Sequence, residues 1–176
     1  MRRELALVAL LILGFPQLCA AAERVGLGRP PTAREIAAWD IDVRADGRGL
    51  PAGHGSVGEG AALYGQKCAG CHGEKGAGKP ADVLVGGAGT LASVKPVKTV
   101  GSFWPYAPTL FDYVRRAMPF DHPQSLTNDE VYAVSAYLLS LNGVVPADVT
   151  LDANSLSAVK MPNRGGFEAD PRPDVR

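Results

Sequence analysis

Apolar residues in this chain fall at helical spacing behind polar caps, and three such caps share one form. Ser56-Val57-Gly58-Glu59 places an N-cap serine three residues before a glutamate, a capping box, and Ala61, Tyr64 and Cys68 follow at i, i+3 and i+7. Residues 110–117 read as a short helix, which Met118-Pro119 ends because proline disfavours the helical region at the residue before it. Thr127-Asn128-Asp129-Glu130 is a second capping box, with Leu126 and Val131 placed for a hydrophobic staple. Behind it, Val131, Val134, Leu138 and Leu141 form an apolar stripe with Tyr137 beside it, and Asn142-Gly143 stops the helix. A third box, Thr32-Ala33-Arg34-Glu35, opens a short helix carrying Ile36 and Trp39, an aromatic that should not be left in water. The pattern predicts an all-α chain in which the last helix crosses the Ser56–Cys68 helix, with Gly60 and Ala61 allowing close approach.

The first 22 residues read as an address. Arg2 and Arg3 precede an apolar run, Leu5 to Phe15, too short to span a bilayer, and Ala20-Ala21-Ala22 offers small residues for cleavage after Ala22. A signal peptide over 1–22 predicts export to the periplasm with no membrane anchor left after cleavage. An uncleaved anchor and a lipoprotein at Cys19 are the alternatives, and Leu18 fits a lipobox poorly. With 21 Gly and 14 Pro in 176 residues, much of the chain must be loop. Aromatics are only 7%, few for a core of this length, so a bound cofactor can supply missing apolar bulk. Lys+Arg and Asp+Glu balance at 18 each, and cleavage leaves 16 basic and 17 acidic side chains. This balance argues against nucleic acid as the main partner, because phosphate neutralisation needs a basic face.

Cleavage also removes Cys19, leaving Cys68 and Cys71 in an exported chain, too few for a disulfide scaffold. Residues 67–72 read Lys-Cys-Ala-Gly-Cys-His. Cys68-x-x-Cys71-His72 is the attachment motif for c-type haem: two thiols on one helical turn reach two vinyl groups of a porphyrin edge, and the next residue presents imidazole to the iron. A redox thiol pair would want a preceding strand, and a zinc site two more ligands at paired spacing. The Gly-rich stretch 73–80 follows as a turn-rich loop, with Pro80 a candidate for offering its carbonyl to the His72 Nδ1–H or else a plain turn proline. For the sixth iron ligand, Met118 on the loop before the last helix is favoured over His122 in the same loop. Met161 reads as an anchor for the tail and His54 as solvated. Trp104, Tyr106, Arg115 and Arg116 are candidates for the haem propionates, or else core and solvated face.

The motif together with the capped last helix resembles class I cytochrome c over roughly residues 56–143. Longer strings, 36–44, 97–107, 109–120 and 161–164, are similar to the cytochrome subunit of sulfur dehydrogenase in the Sox thiosulfate-oxidising system. The resemblance implies a class I cytochrome c fold, with about three to five helices around one covalent haem c held by Cys68, Cys71, His72 and Met118. It also implies a periplasmic partner holding a molybdenum cofactor, related to sulfite dehydrogenase, and a downstream cytochrome or oxidase as acceptor. Many members are longer and carry two haems, whereas this chain has a single Cys-x-x-Cys-His. On this reading residues 23–55 and 144–176 are arms, wrapped on the 56–143 haem domain or docked on the partner. Three functions stand side by side: electron-transfer subunit of a sulfur-compound oxidoreductase, free single-haem carrier, and catalytic haem protein. A methionine on the sixth position disfavours the last.

Overall fold

The computed structural model of the chain describes residues 27–172, so the expected signal segment, its cleavage point and Cys19 lie outside the described residues. The chain divides after Trp39 into two compact units. In the first, helix α1 (Ala33–Trp39) starts at the expected box. The Thr32 hydroxyl accepts from the Glu35 N–H at 3.3 Å, and the Glu35 carboxylate accepts from the Thr32 N–H at 2.8 Å. The Arg29 guanidinium also donates to Glu35 and, with the Thr32 bonds, holds its carboxyl down at about 2. No residue of α1 is buried, and Trp39 is 86% exposed, so its own unit does not cover the ring.

The second unit runs β1 (His54–Ser56), α2 (Val57–Lys67), α3 (Ala69–His72), α4 (Ala107–Ala117), α5 (Asn128–Leu141), β2 (Thr150–Asp152) and α6 (Ala153–Ala158). Both remaining boxes form. The Glu59 carboxylate accepts from the Ser56 N–H at 2.8 Å, and that of Glu130 from the Thr127 N–H at 2.8 Å. The Ser56 hydroxyl and N–H on Glu59, and the Thr127 N–H and hydroxyl on Glu130, hold both carboxyls below the usual glutamate value. Pro108 sits in the first turn of α4, where its missing N–H costs nothing. Met118 leaves that helix extended, at φ −119° and ψ 147°, as the following proline requires. Among the described residues no helix is long and apolar enough to cross a membrane.

Helix α5 is the centre of the core. One apolar stripe was expected, yet Tyr132, Ala133, Ser135, Ala136 and Leu139 are buried as well as Val131, Val134 and Leu138. The reason is that α5 packs against α2 and β1 as well as against α4. Rings mark the contacts with α2 and α4: Tyr64 meets Tyr137 at 5.3 Å and Phe111 meets Tyr132 at 4.5 Å. The α2–α5 crossing is a backbone contact, since a Cβ built on Gly60 would lie 1.9 Å from the Ala133 carbonyl oxygen.

Residues 40–55 and 144–161 are built into the same core, a point that the sequence pattern left undecided. Val43, Leu151, Leu156, Val159 and Met161 are all buried in it. β1 and β2 pair antiparallel, His54 opposite Asp152 and Ser56 opposite Thr150, a two-stranded sheet that no alternation announced. A fourth capping box, the Asp152 side chain with Ser155, starts α6.

Gly60→Ala should destabilise the folded protein by about 1–3 kcal/mol, because the added methyl meets backbone rather than a movable side chain. Gly65, in the same helix, has open space around it. Gly65→Ala should therefore stabilise by about 0.5–1 kcal/mol. Guanidinium melts of the two variants, moving in opposite directions, check the crossing.

Candidate functional site

A cavity of about 430 Å³ opens between the helices, within the range typical of small-molecule sites. Four helices wall it. α2 supplies Tyr64 and Lys67, α3 supplies Cys71 and His72, α4 supplies Tyr113 and Val114, and α5 supplies Val134 and Leu138. Cys68 lies between α2 and α3, and Met118, Pro119 and Phe120 border the cavity from the loop after α4. Cys68, Cys71 and His72 thus face one space with Met118, which lies 46 residues further along the chain.

Local backbone structure explains the proximal side. α3 is the single turn Ala69–His72, so Cys71 and His72 leave successive positions of one turn, with Cys68 just before it. The loop after His72 folds back on that turn: the Gly78 N–H donates to the His72 carbonyl at 2.7 Å and the Ala81 N–H to the Cys71 carbonyl at 2.9 Å. The Tyr64 hydroxyl donates to the Gly73 carbonyl at 3.0 Å, and burial pushes its phenol up to about 12. The His72 Nδ1 lies 2.9 Å from the carbonyl oxygen of Asp82. A carbonyl only accepts, so Nδ1 carries the proton and Nε2 is left with its lone pair. Pro80 does not take this part. The fold-back at Ala81 carries the chain two residues further before a carbonyl reaches the ring.

The donor set fits a covalently held haem. Two thiols three positions apart, an imidazole with a fixed tautomer and a thioether surround a space walled by Leu84, Val114, Val134 and Leu138. Burial pushes the Cys68 thiol up to about 11, the reverse of what a reactive thiolate pair needs. The rivals of Met118 lie elsewhere. His122 is exposed and faces Asp121 at 3.1 Å, His54 is exposed on β1, and Met161 is buried in the main core.

The proposed propionate partners are not brought to the cavity. Arg116 pairs with Asp112, whose carboxylate also accepts from the Val43 N–H at 2.8 Å. Arg115 donates to the Ile41 carbonyl at 3.0 Å and borders a second cavity of about 400 Å³ with Gln124 and Asn128. Trp104 stands edge-on to Tyr113 at 5.8 Å, and Tyr106 lies under the Arg164 guanidinium at 5.2 Å. The charges that do line the cavity are Lys67, Asp82 and Asp121. Sequence reasoning gave no part to Leu84, Tyr113 or Phe120. The two aromatics flank Met118 closely enough in sequence to have been found, whereas Leu84 sits in a loop without periodicity.

Three comparisons with known proteins bear on this site. A profile of the family described as cytochrome c matches residues 57–142. A comparison with curated protein sequences gives no match. Among solved structures, a chain in the crystal structure of the sulfane dehydrogenase SoxCD from Paracoccus pantotrophus is 45% identical, with a TM-score of 0.80, over 87% of this chain and 76% of that one.

Arg116→Met should lower stability by about 1–2 kcal/mol, leaving the largely buried Asp112 carboxylate only the Val43 N–H. It should leave the visible spectrum and reduction potential unchanged. A shifted potential at intact stability would return Arg116 to the cofactor.

Proposed function

Since the chain belongs to the cytochrome c family, we propose that it is a periplasmic single-haem cytochrome that carries electrons as the cytochrome subunit of a sulfur-compound dehydrogenase, whose catalytic subunit holds a molybdenum cofactor. The observation that carries this reading is the convergence of Cys68, Cys71, His72 and Met118 on one apolar cavity. The partner rests on the 45% identity to a chain of SoxCD, a sulfane dehydrogenase.

Cys68 and Cys71 would each add a thiol S–H across a vinyl group, forming two thioethers and fixing one haem to the 56–143 domain. His72 would offer Nε2 to the iron and Met118 its sulfur. Bound there, the haem supplies a reversible ferric/ferrous couple. The Asp82 carbonyl keeps the proton on Nδ1 of His72, which orients the ring and strengthens it as a donor. Leu84, Val114, Val134 and Leu138 exclude water from the site, which favours the less charged reduced state. With Met118 also holding the iron, no site would stay open for a substrate, which favours electron transfer over haem catalysis.

The balanced charge makes long-range steering modest, so association rests on apolar contact. Leu27, Ile36 and Trp39 are exposed in the first unit and suit a docked partner, with a downstream cytochrome or oxidase taking the electrons.

Met118→Ala should abolish the weak far-red band of a thioether-ligated ferric haem and lower the reduction potential, because a soft thioether favours Fe(II). A band that persists in this variant removes Met118 from the iron.

Purified from the native periplasm, the chain should bring iron and molybdenum in one complex, and sulfite or a sulfane-sulfur donor should reduce the haem only with both subunits present. Deleting residues 23–39 should weaken the complex and spare the haem spectrum. An iron-only monomer that accepts electrons equally from unrelated donors would establish a free carrier instead.

A further inference from the structure

The residue that stops α5 does more than end a helix. The Asn142 Oδ1 accepts from the Gly86 N–H at 3.1 Å, and its Nδ2 donates to the carbonyls of Leu84 at 3.2 Å and Leu138 at 2.8 Å. The carboxamide thus spends both donor hydrogens and its acceptor oxygen, one bond on its own helix and two on the loop that follows the attachment motif. It has no room to turn away. A Cβ built on Gly101 would lie 2.4 Å from the Asn142 Oδ1, so the chain at 101 closes the other side of the side chain.

The loop is gripped at the same two residues by other partners. The Leu84 N–H donates to the Gly76 carbonyl at 2.9 Å, the Val100 N–H to the Leu84 carbonyl at 3.3 Å, and the Thr99 hydroxyl to the Gly86 carbonyl at 2.5 Å. Two residues before Leu84 comes Asp82, whose carbonyl accepts from the His72 Nδ1–H. Among the described residues, neither the Asp82 nor the Val83 N–H finds an acceptor. The place of that carbonyl is therefore set from its flanks, by Ala81 bound to Cys71 on one side and by Leu84 held at the end of α5 on the other.

We infer that Asn142 is a positioning residue for His72: by clamping Leu84 and Gly86 to the C-terminal end of α5, it places the Asp82 carbonyl that fixes the tautomer and orientation of the imidazole. The inference rests on the reading of His72 as the iron ligand. A loosened carbonyl makes the imidazole a weaker donor, stabilises ferric iron less and raises the reduction potential.

The test uses the full-length haem-loaded protein and three variants. Asn142→Ala removes the whole clamp. Asn142→Asp keeps the acceptor for the Gly86 N–H and removes both donors, and it carries the test if the alanine variant does not fold. Leu156→Ala, in the buried core away from the cavity, controls for stability alone. Asn142→Ala should exchange the His72 Nδ1 proton about tenfold faster in ferrous-state NMR. It should also raise the potential, with Asn142→Asp in between. Leu156→Ala should lower the melting temperature and change neither. Asn142 variants that melt earlier yet keep wild-type proton exchange and potential would show a merely structural residue and overturn the inference. A wild type without histidine-ligated iron would overturn the underlying reading, and that is seen before any variant is made.

Discussion

The distance between α2 and α5 is the constraint from which the site follows. Two helices normally keep apart by the width of their side chains, and here that width is removed at Gly60, while Gly55 of β1 lies against the same Ala133. α2 runs straight into Cys68, while α5 contributes Val134 and Leu138 to the opposite wall. The crossing therefore sets how wide the cavity is. One turn further along, Tyr64 and Tyr137 meet, and the Tyr64 hydroxyl reaches on to Gly73, so the same contact extends into the loop behind the histidine.

A second set of bonds fastens residues 40–55, which have almost no regular structure of their own and need partners for their backbone groups. Side chains of α4 and α5 provide them. Asp112 receives the Val43 N–H, Arg115 donates to Ile41, and the Tyr132 hydroxyl donates to the Pro51 carbonyl at 2.8 Å. A largely buried carboxylate is tolerable at Asp112 because Arg116 forks onto it from the next turn. Arginines that by type suit a propionate are thus committed to holding the chain together.

Features that depend on local chemistry were legible from the sequence. Capping boxes need residues three apart, and those at Thr32, Ser56 and Thr127 all formed. The attachment motif is one turn long, and the exit at Met118 is dictated by its neighbour Pro119. Features that depend on distant partners were not. Each strand of the β1–β2 sheet is three residues long, too short to show a period. The carbonyl that meets His72 belongs to Asp82 rather than Pro80 because of where a glycine-rich loop folds back, which no spacing rule encodes. Trp39 was expected to find cover from its chemistry alone, and its own short helix offers none.

The pairing of Ser56 with Thr150 joins positions 94 residues apart, closing a loop that holds α2 to α5 and every residue assigned to the haem. Synthesis runs from the N-terminus, so β2 and the core side chains Leu151, Leu156 and Met161 are the last of these pieces to exist. Until they arrive, the Cys68–His72 turn stands on a chain whose ends have not met. Loop closure of this length is slow beside helix formation, which leaves an interval in which the helices can form while the sheet is still open. Were a rigid planar group received by such an open chain, the late strand would be the clasp that shuts behind it.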